Sequence, residues 1–226
     1  MQSRKAVLRG HLRAVRAALT DEQHAAASAA ICARLLELNF ARSFYKIGVY
    51  LATPEEANID AFAASLLARG VTVAAPRTGK RVENSPPLIK IGGRAVPSFY
   101  TLSDLRAGVR PGSFGVREPL EYPGGVHYRP EELDLIIAPG LAFDARGGRL
   151  GFGGGWYDRA LQRGVLQTGT LALGVCFDCQ IVDMVPRAEH DVPVATIVTE
   201  NRIIDVEGLL AARLGRIDVG GVGNGL

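Results

Sequence analysis

The chain has 226 residues, with 26 Lys and Arg against 23 Asp and Glu, a net charge of +3, 47% hydrophobic and 22% charged residues. That is the balance of an ordinary globular protein of one α/β domain, and its mild charge, without a basic run, argues against nucleic-acid binding and suits a small anionic substrate. No apolar run reaches membrane-spanning length and the N-terminal MQSRKAVLRGHLRAV lacks the apolar core of a secretory signal, so no membrane partner and a cytoplasmic location are expected.

Residues 4–19 read as a helix, because Leu8, Leu12, Val15 and Leu19 recur at helical spacing. Lys5, Arg9, Arg13 and Arg16 fall on an adjacent face, and Arg13 and Arg16 read as solvated. Thr20 and Gln23 form a capping box that starts an Ala-rich helix running to about Leu38. Lys46 to Leu51 reads as a strand, Asp60 to Arg69 as a helix capped near Asn58, and Val71 to Ala75 as the next strand. Such a strand–helix–strand unit is parallel, and ligands of parallel sheets sit beyond the carboxyl ends of the strands. The loop Leu51 to Glu56 is therefore expected at a binding edge. Residues 78–112 hold only short strand candidates, Leu88 to Ile91 and Ala95 to Tyr100. Glu118 is open to a structural or a site-lining role. Leu133 to Ala138 and Leu171 to Phe177 read as strands, and Thr196 to Glu200 as the strand that closes the sheet. Cys176 and Cys179 form a single C-x-x-C in an apolar run and read as core cysteines. His190 reads as a surface histidine at least as readily as a general base. Residues 206–226 read as a final helix and a frayed tail.

The most informative stretch is Ala138 to Leu161, APGLAFDARGGRLGFGGGWYDRAL. A glycine cluster, Gly151 to Gly155 broken by Phe152, opens onto a helix that begins at Trp156. Glycine lets a ligand approach the main chain closely, and exposed N–H groups leading into a helix N-terminus make an anion site. Arg149 adds a positive charge on one side and Asp158 a possible metal ligand on the other. Neither a dinucleotide fingerprint nor a GxxxxGK[ST] phosphate loop is present.

PGLAFD followed by RLGFGGGWYDR closely resembles the signature of 5-formyltetrahydrofolate cyclo-ligases. The resemblance extends over most of residues 4–200, through Lys5-Ala6-Val7-Leu8-Arg9, Glu56, Pro76-Arg77, Gly115-Val116-Arg117-Glu118-Pro119, and the spacing from Gln180 to His190-Asp191. It implies one α/β domain over residues 1–205, with a central, mostly parallel mixed sheet flanked by helices (NagB/RpiA/CoA-transferase-like). It also implies ATP- and Mg²⁺-dependent ring closure of 5-formyltetrahydrofolate, by a monomer. ATP would be held by Lys5, Arg9, Arg149, Leu150, Gly151, Phe152, Gly153, Gly154, Gly155, Trp156 and Tyr157. Leu51, Glu56, Phe152 and Trp156 would hold the folate. Asp158 and Asp191 would hold Mg²⁺. No covalent nucleophile is implied. Asn58, Ile59, Phe152 and Trp156 depart from the usual pattern, and the alternative is a related protein that binds folate or nucleotide without turnover.

Overall fold

The computed structural model describes residues 2–38, 44–77, 90–112, 115–120, 125–188 and 191–208. Residues 78–89, with the start of the strand candidate at Leu88, and Glu189, His190 and residues 209–226, with the readings placed on them, lie outside the described residues. There are four helices among the described residues: α1 (Gln2–Ala17), α2 (Asp21–Glu37), α3 (Asp60–Ala68) and α4 (Trp156–Thr168). The strands are β1 (Lys46–Gly48), β2 (Thr72–Pro76), β3 (Lys90–Ile91), β4 (Arg94–Ala95), β5 (Phe99–Thr101), β6 (Val109–Pro111), β7 (Arg117–Pro119), β8 (His127–Tyr128), β9 (Leu135–Pro139), β10 (Ala142–Phe143), β11 (Arg149–Leu150), β12 (Leu171–Val175), β13 (Thr196–Val198) and β14 (Ile203–Asp205).

Eight strands form the main sheet in the order β14-β13-β12-β9-β1-β2-β5-β8. The inner strands β13, β12, β9, β1 and β2 run parallel; β14 pairs antiparallel with β13 at one edge, and at the other β5 pairs antiparallel with β2 and with β8. This is the mostly parallel mixed sheet that the resemblance implies. β14 corrects one expectation: it pairs beyond β13, so the strand at Thr196 does not close the sheet.

The central strand β9, LIIAP, is buried at every position because both faces of a parallel sheet are covered. Successive side chains point to opposite faces. Leu135 and Ile137 pack with Ile47, Val73 and the buried faces of α2 and α3, and Ile136 packs with Ala160 and Leu161 of α4. Burying a side chain of this size contributes about 1.5–3 kcal/mol. At the start of α2 the Thr20 hydroxyl accepts from Gln23 N at 3.2 Å, and the Gln23 side chain accepts from Thr20 N at 2.9 Å. Two otherwise orphaned donors are thereby satisfied. At the start of α3 the residue before it, Ile59, offers no side-chain cap, but the Asn58 side-chain oxygen Oδ1 accepts from Asp60 N at 2.8 Å, in keeping with the cap expected near Asn58.

Two sequence readings are corrected by packing. Arg16 is 3% exposed rather than solvated, because its guanidinium lies 5.4 Å from the Phe152 ring centre and pairs with Glu55. Cys176 is buried as expected, but Cys179 lies past the end of β12 in a 3₁₀ turn, Asp178–Gln180, and is exposed.

Candidate active site

The site lies where the parallel strands end. Tyr50 and Leu51 follow β1, Pro76 ends β2 and Pro139 ends β9, and all four line one pocket. A parallel sheet leaves its carboxyl edge uncovered by the crossover helices, so a crevice forms there.

The β10–β11 hairpin turns back over this edge. Its turn is held by Asp144, fully buried, whose carboxylate accepts from Arg146 N and Gly148 N at 2.9 Å, from Val185 N at 2.8 Å and from the Arg187 guanidinium at 3.0 Å. Burial would raise its pKa, but these donors outweigh burial and hold the carboxyl below its ordinary range. α1 packs on the same hairpin through Leu12, which meets Ala142, Leu150 and Val185.

Arg149 leaves the hairpin buried. Its Nη1 donates to Pro139 O at 3.1 Å, its Nη2 pairs with Asp158, and the guanidinium lies 5.8 Å from the Tyr157 ring centre. Past Arg149 the chain passes through the glycine loop into α4. Gly155 caps that helix at φ +65°, a left-handed conformation that side-chain-bearing residues avoid, and no side chain satisfies the first-turn N–H groups. Those donors and the positive end of the helix dipole favour an anion.

α1 supplies the opposite wall. Arg9 Nε donates to Gly151 O at 2.9 Å, and the Lys5 ammonium pairs with Asp191. Lys5, Arg9, Arg149, Leu150, Gly151, Gly153, Gly155, Asp158 and Asp191 thus line one cleft of about 720 Å³, together with Arg94, Arg159 and Gln162. It holds five basic and two acidic side chains.

Leu51, Glu56, Phe152, Gly154, Trp156 and Tyr157 line the other pocket, of about 560 Å³, with Tyr50, Thr53, Pro76, Val116, Pro139, Arg13 and Arg117. Phe152 and Trp156, expected on both the nucleotide and the folate, line this largely apolar pocket together with Gly154 and Tyr157, and none of the four lines the cationic cleft. Glu56 is 8% exposed and accepts from Thr53 N at 2.9 Å. Burial pushes its carboxyl above the usual range, against that hydrogen bond. Burial, and then the charge of Glu56, push the Tyr157 phenol up as well, and its hydroxyl is buried without a partner among the described residues. A raised carboxyl and an unsatisfied phenol are hydrogen-bonding groups left for a ligand. Tyr50 is committed elsewhere, its hydroxyl donating to Ala57 O at 2.6 Å.

Arg149, Gly151, Gly155 and Asp158 line both cavities and form their shared wall. Sequence reasoning missed Tyr50, Pro76 and Pro139, although their places at strand ends were a usable signal. Val116 and Arg117 lay in a segment that carries the family resemblance but were given no site role, and nothing pointed to Arg94 or Gln162. Glu118 is buried in β7 and lines neither cavity.

Among the described residues no cluster of three His, Cys, Asp or Glu side chains could enclose a metal ion. Asp158 and Asp191 nevertheless line one cleft and offer only oxygen. That donor set fits Mg²⁺, which takes one or two carboxylates and completes its shell with water and phosphate.

An open α/β sheet thus carries, at its carboxyl edge, a cationic, glycine-floored cleft joined through one wall to an apolar, carboxylate-bearing pocket. The chain belongs to the 5-formyltetrahydrofolate cyclo-ligase family, whose sequence model matches residues 1–200. It is 44% identical over 71 residues to the 5-formyltetrahydrofolate cyclo-ligase of Escherichia coli (strain K12), a stretch covering 31% of this chain and 38% of that protein. It is 28% identical over 191 residues to the cyclo-ligase of Haemophilus influenzae, covering 84% and 95% of the two chains. The fold is similar to the NMR structure of Aquifex aeolicus 5,10-methenyltetrahydrofolate synthetase, with a TM-score of 0.70, 29% identity, and coverage of 89% and 92%. A synthetase from Mycoplasma pneumoniae, 19% identical with a TM-score of 0.63, shares the fold.

Proposed function

We propose that this protein converts 5-formyltetrahydrofolate and ATP into 5,10-methenyltetrahydrofolate, ADP and phosphate. The observation that carries the proposal is the wall shared by the two cavities. A phosphoryl group passing from a nucleotide in the cationic cleft to a formyl oxygen in the apolar pocket crosses at Arg149, Gly151, Gly155 and Asp158.

The formyl oxygen is a poor leaving group. In the proposed sequence it attacks the γ-phosphorus and ADP departs. The electron pair on N10 then attacks the activated formyl carbon, the C–O bond breaks, phosphate leaves and N10 gives up its proton. Little covalent chemistry falls to the protein, whose task is positioning and charge neutralisation. Arg149 faces both cavities and is placed to offset the charge on the transferring phosphoryl, with Lys5, Arg9 and the glycine-loop N–H groups holding the remaining phosphates. Glu56 and the Tyr157 hydroxyl orient the pterin by hydrogen bonds, and Phe152 and Trp156 pack on flat apolar surface. Mg²⁺, held by Asp158 and Asp191, would supply neutralisation of phosphate charge.

The test is a spectrophotometric assay with 5-formyltetrahydrofolate, following the near-ultraviolet band of the conjugated methenyl product. Growth of that band only when both ATP and Mg²⁺ are present supports the proposal. Folded protein that binds ATP and the folate yet gives no band would replace it with a binding protein of the same family.

A further inference from the structure

The β3–β4 hairpin forms an outer wall of the cationic cleft, through Ile91, Gly92 and Arg94. Gly92 and Gly93 sit at φ 56° and 75°, as a two-residue turn between twisted strands requires. Among the described residues the hairpin pairs with no third strand, and an isolated pair of this length is marginal in water. Arg159 ties it to the fold by donating from Nε to Ala95 O at 2.7 Å.

The charges on this wall are unbalanced. Lys5 and Arg149 each have a carboxylate, in Asp191 and Asp158. Arg159 forms no ion pair among the described residues: its other bond goes from Nη1 to Gly154 O at 3.1 Å. Arg94 is exposed, and its side chain makes no ion pair or hydrogen bond among the described residues. Burial first, and the charge of Arg94 second, push the Arg159 guanidinium below its ordinary range, against the opposing charge of Asp158. Two guanidiniums that repel across one cleft are relieved by an anion bound between them.

We propose that Arg94 and Arg159 form a phosphate clasp, in which the hairpin carries Arg94 across the cleft to bind the polyphosphate of a nucleoside triphosphate. The clasp rests on the reading of this cleft as the nucleotide site. It also has an optical reporter, because the Arg159 guanidinium lies 5.8 Å from the ring centre of Trp156, the single tryptophan of the chain. An anion drawn to Arg159 changes the surroundings of that indole.

Wild type, Arg94→Ala and Arg94→Lys are titrated with Mg²⁺-ATP, and with inorganic tripolyphosphate alone, while Trp156 fluorescence is recorded. Steady-state kinetics are measured in each substrate. Loss of one charge-assisted contact at an exposed site weakens ATP about 10-fold in Arg94→Ala. The KM for 5-formyltetrahydrofolate and the melting temperature stay unchanged, and Arg94→Lys recovers part of the loss. Tripolyphosphate alone moves the fluorescence of the wild type and much less that of Arg94→Ala. ATP affinity in Arg94→Ala within twofold of wild type overturns the clasp. Wild type that binds both anions through Arg94 yet forms no methenyl product leaves the clasp standing and removes the cyclo-ligase proposal. Wild type that binds neither anion removes both.

Discussion

Replacing Arg149 with Leu tests whether the shared wall is held by one ion pair. The Arg149 side chain is 3% exposed and that of Asp158 25%. Breaking a fully buried pair by removing one partner costs about 3–5 kcal/mol. Asp158 is a quarter exposed, so solvent screens part of that loss. The buried Pro139 carbonyl also loses its donor, at about 1 kcal/mol. Leucine fills part of the vacated apolar space, and the net expectation is about 3 kcal/mol of destabilisation. Urea melts of wild type, Arg149→Leu, Asp158→Leu and the double variant complete a cycle, and the coupling should be about 1–2 kcal/mol at unchanged slope. In the assay of product formation kcat should fall about 10²–10³-fold, as for loss of a donor aimed at developing charge. A coupling near zero, with full activity in Arg149→Leu, would refute both the pair and its placement on the transferring phosphoryl.

Glu56 carries a folded-state pKa raised by burial, so the native state holds its proton to higher pH than the unfolded chain. Stability from this site is complete below the unfolded pKa and is lost as pH rises through the folded one. Glu56→Gln should therefore melt higher than wild type at neutral pH and match it near pH ~4, while raising KM for the folate; a wild-type advantage at neutral pH would be contrary. Asp144 behaves oppositely, because its lowered pKa stabilises the fold above the unfolded value and that contribution disappears as pH falls through the folded one. Asp144→Asn should cost about 3 kcal/mol in a denaturant melt, with the difference shrinking in acid. Gly155→Ala forces a side chain into φ +65°, at a cost of about 1–2 kcal/mol. Its ATP affinity should drop more than its folate affinity, since in the proposed binding mode the first-turn N–H groups of α4 hold phosphate; calorimetry with each ligand separates the two.

Much of the local structure was legible in the sequence, because its causes are local. The Thr20–Gln23 box fixes the start of α2, the apolar run of β9 needs both faces covered, and the glycine cluster before Trp156 dictates a loop that only small residues can follow. The strand–helix–strand unit placed Leu51 and Glu56 at the binding edge through the geometry of parallel connections alone. Tertiary structure decided which cavity each loop residue faces. Arg149 and Asp158 form the shared wall, while Phe152, Trp156 and Tyr157 turn to the apolar side, and no periodicity exists in a glycine loop to predict that division. It also decided the fate of the basic face of α1. Lys5 finds Asp191 186 residues away and Arg16 is buried between Phe152 and Glu55. Helical spacing specifies which residues share a face, but the partner that covers it is set by contacts between distant segments, which sequence spacing does not encode.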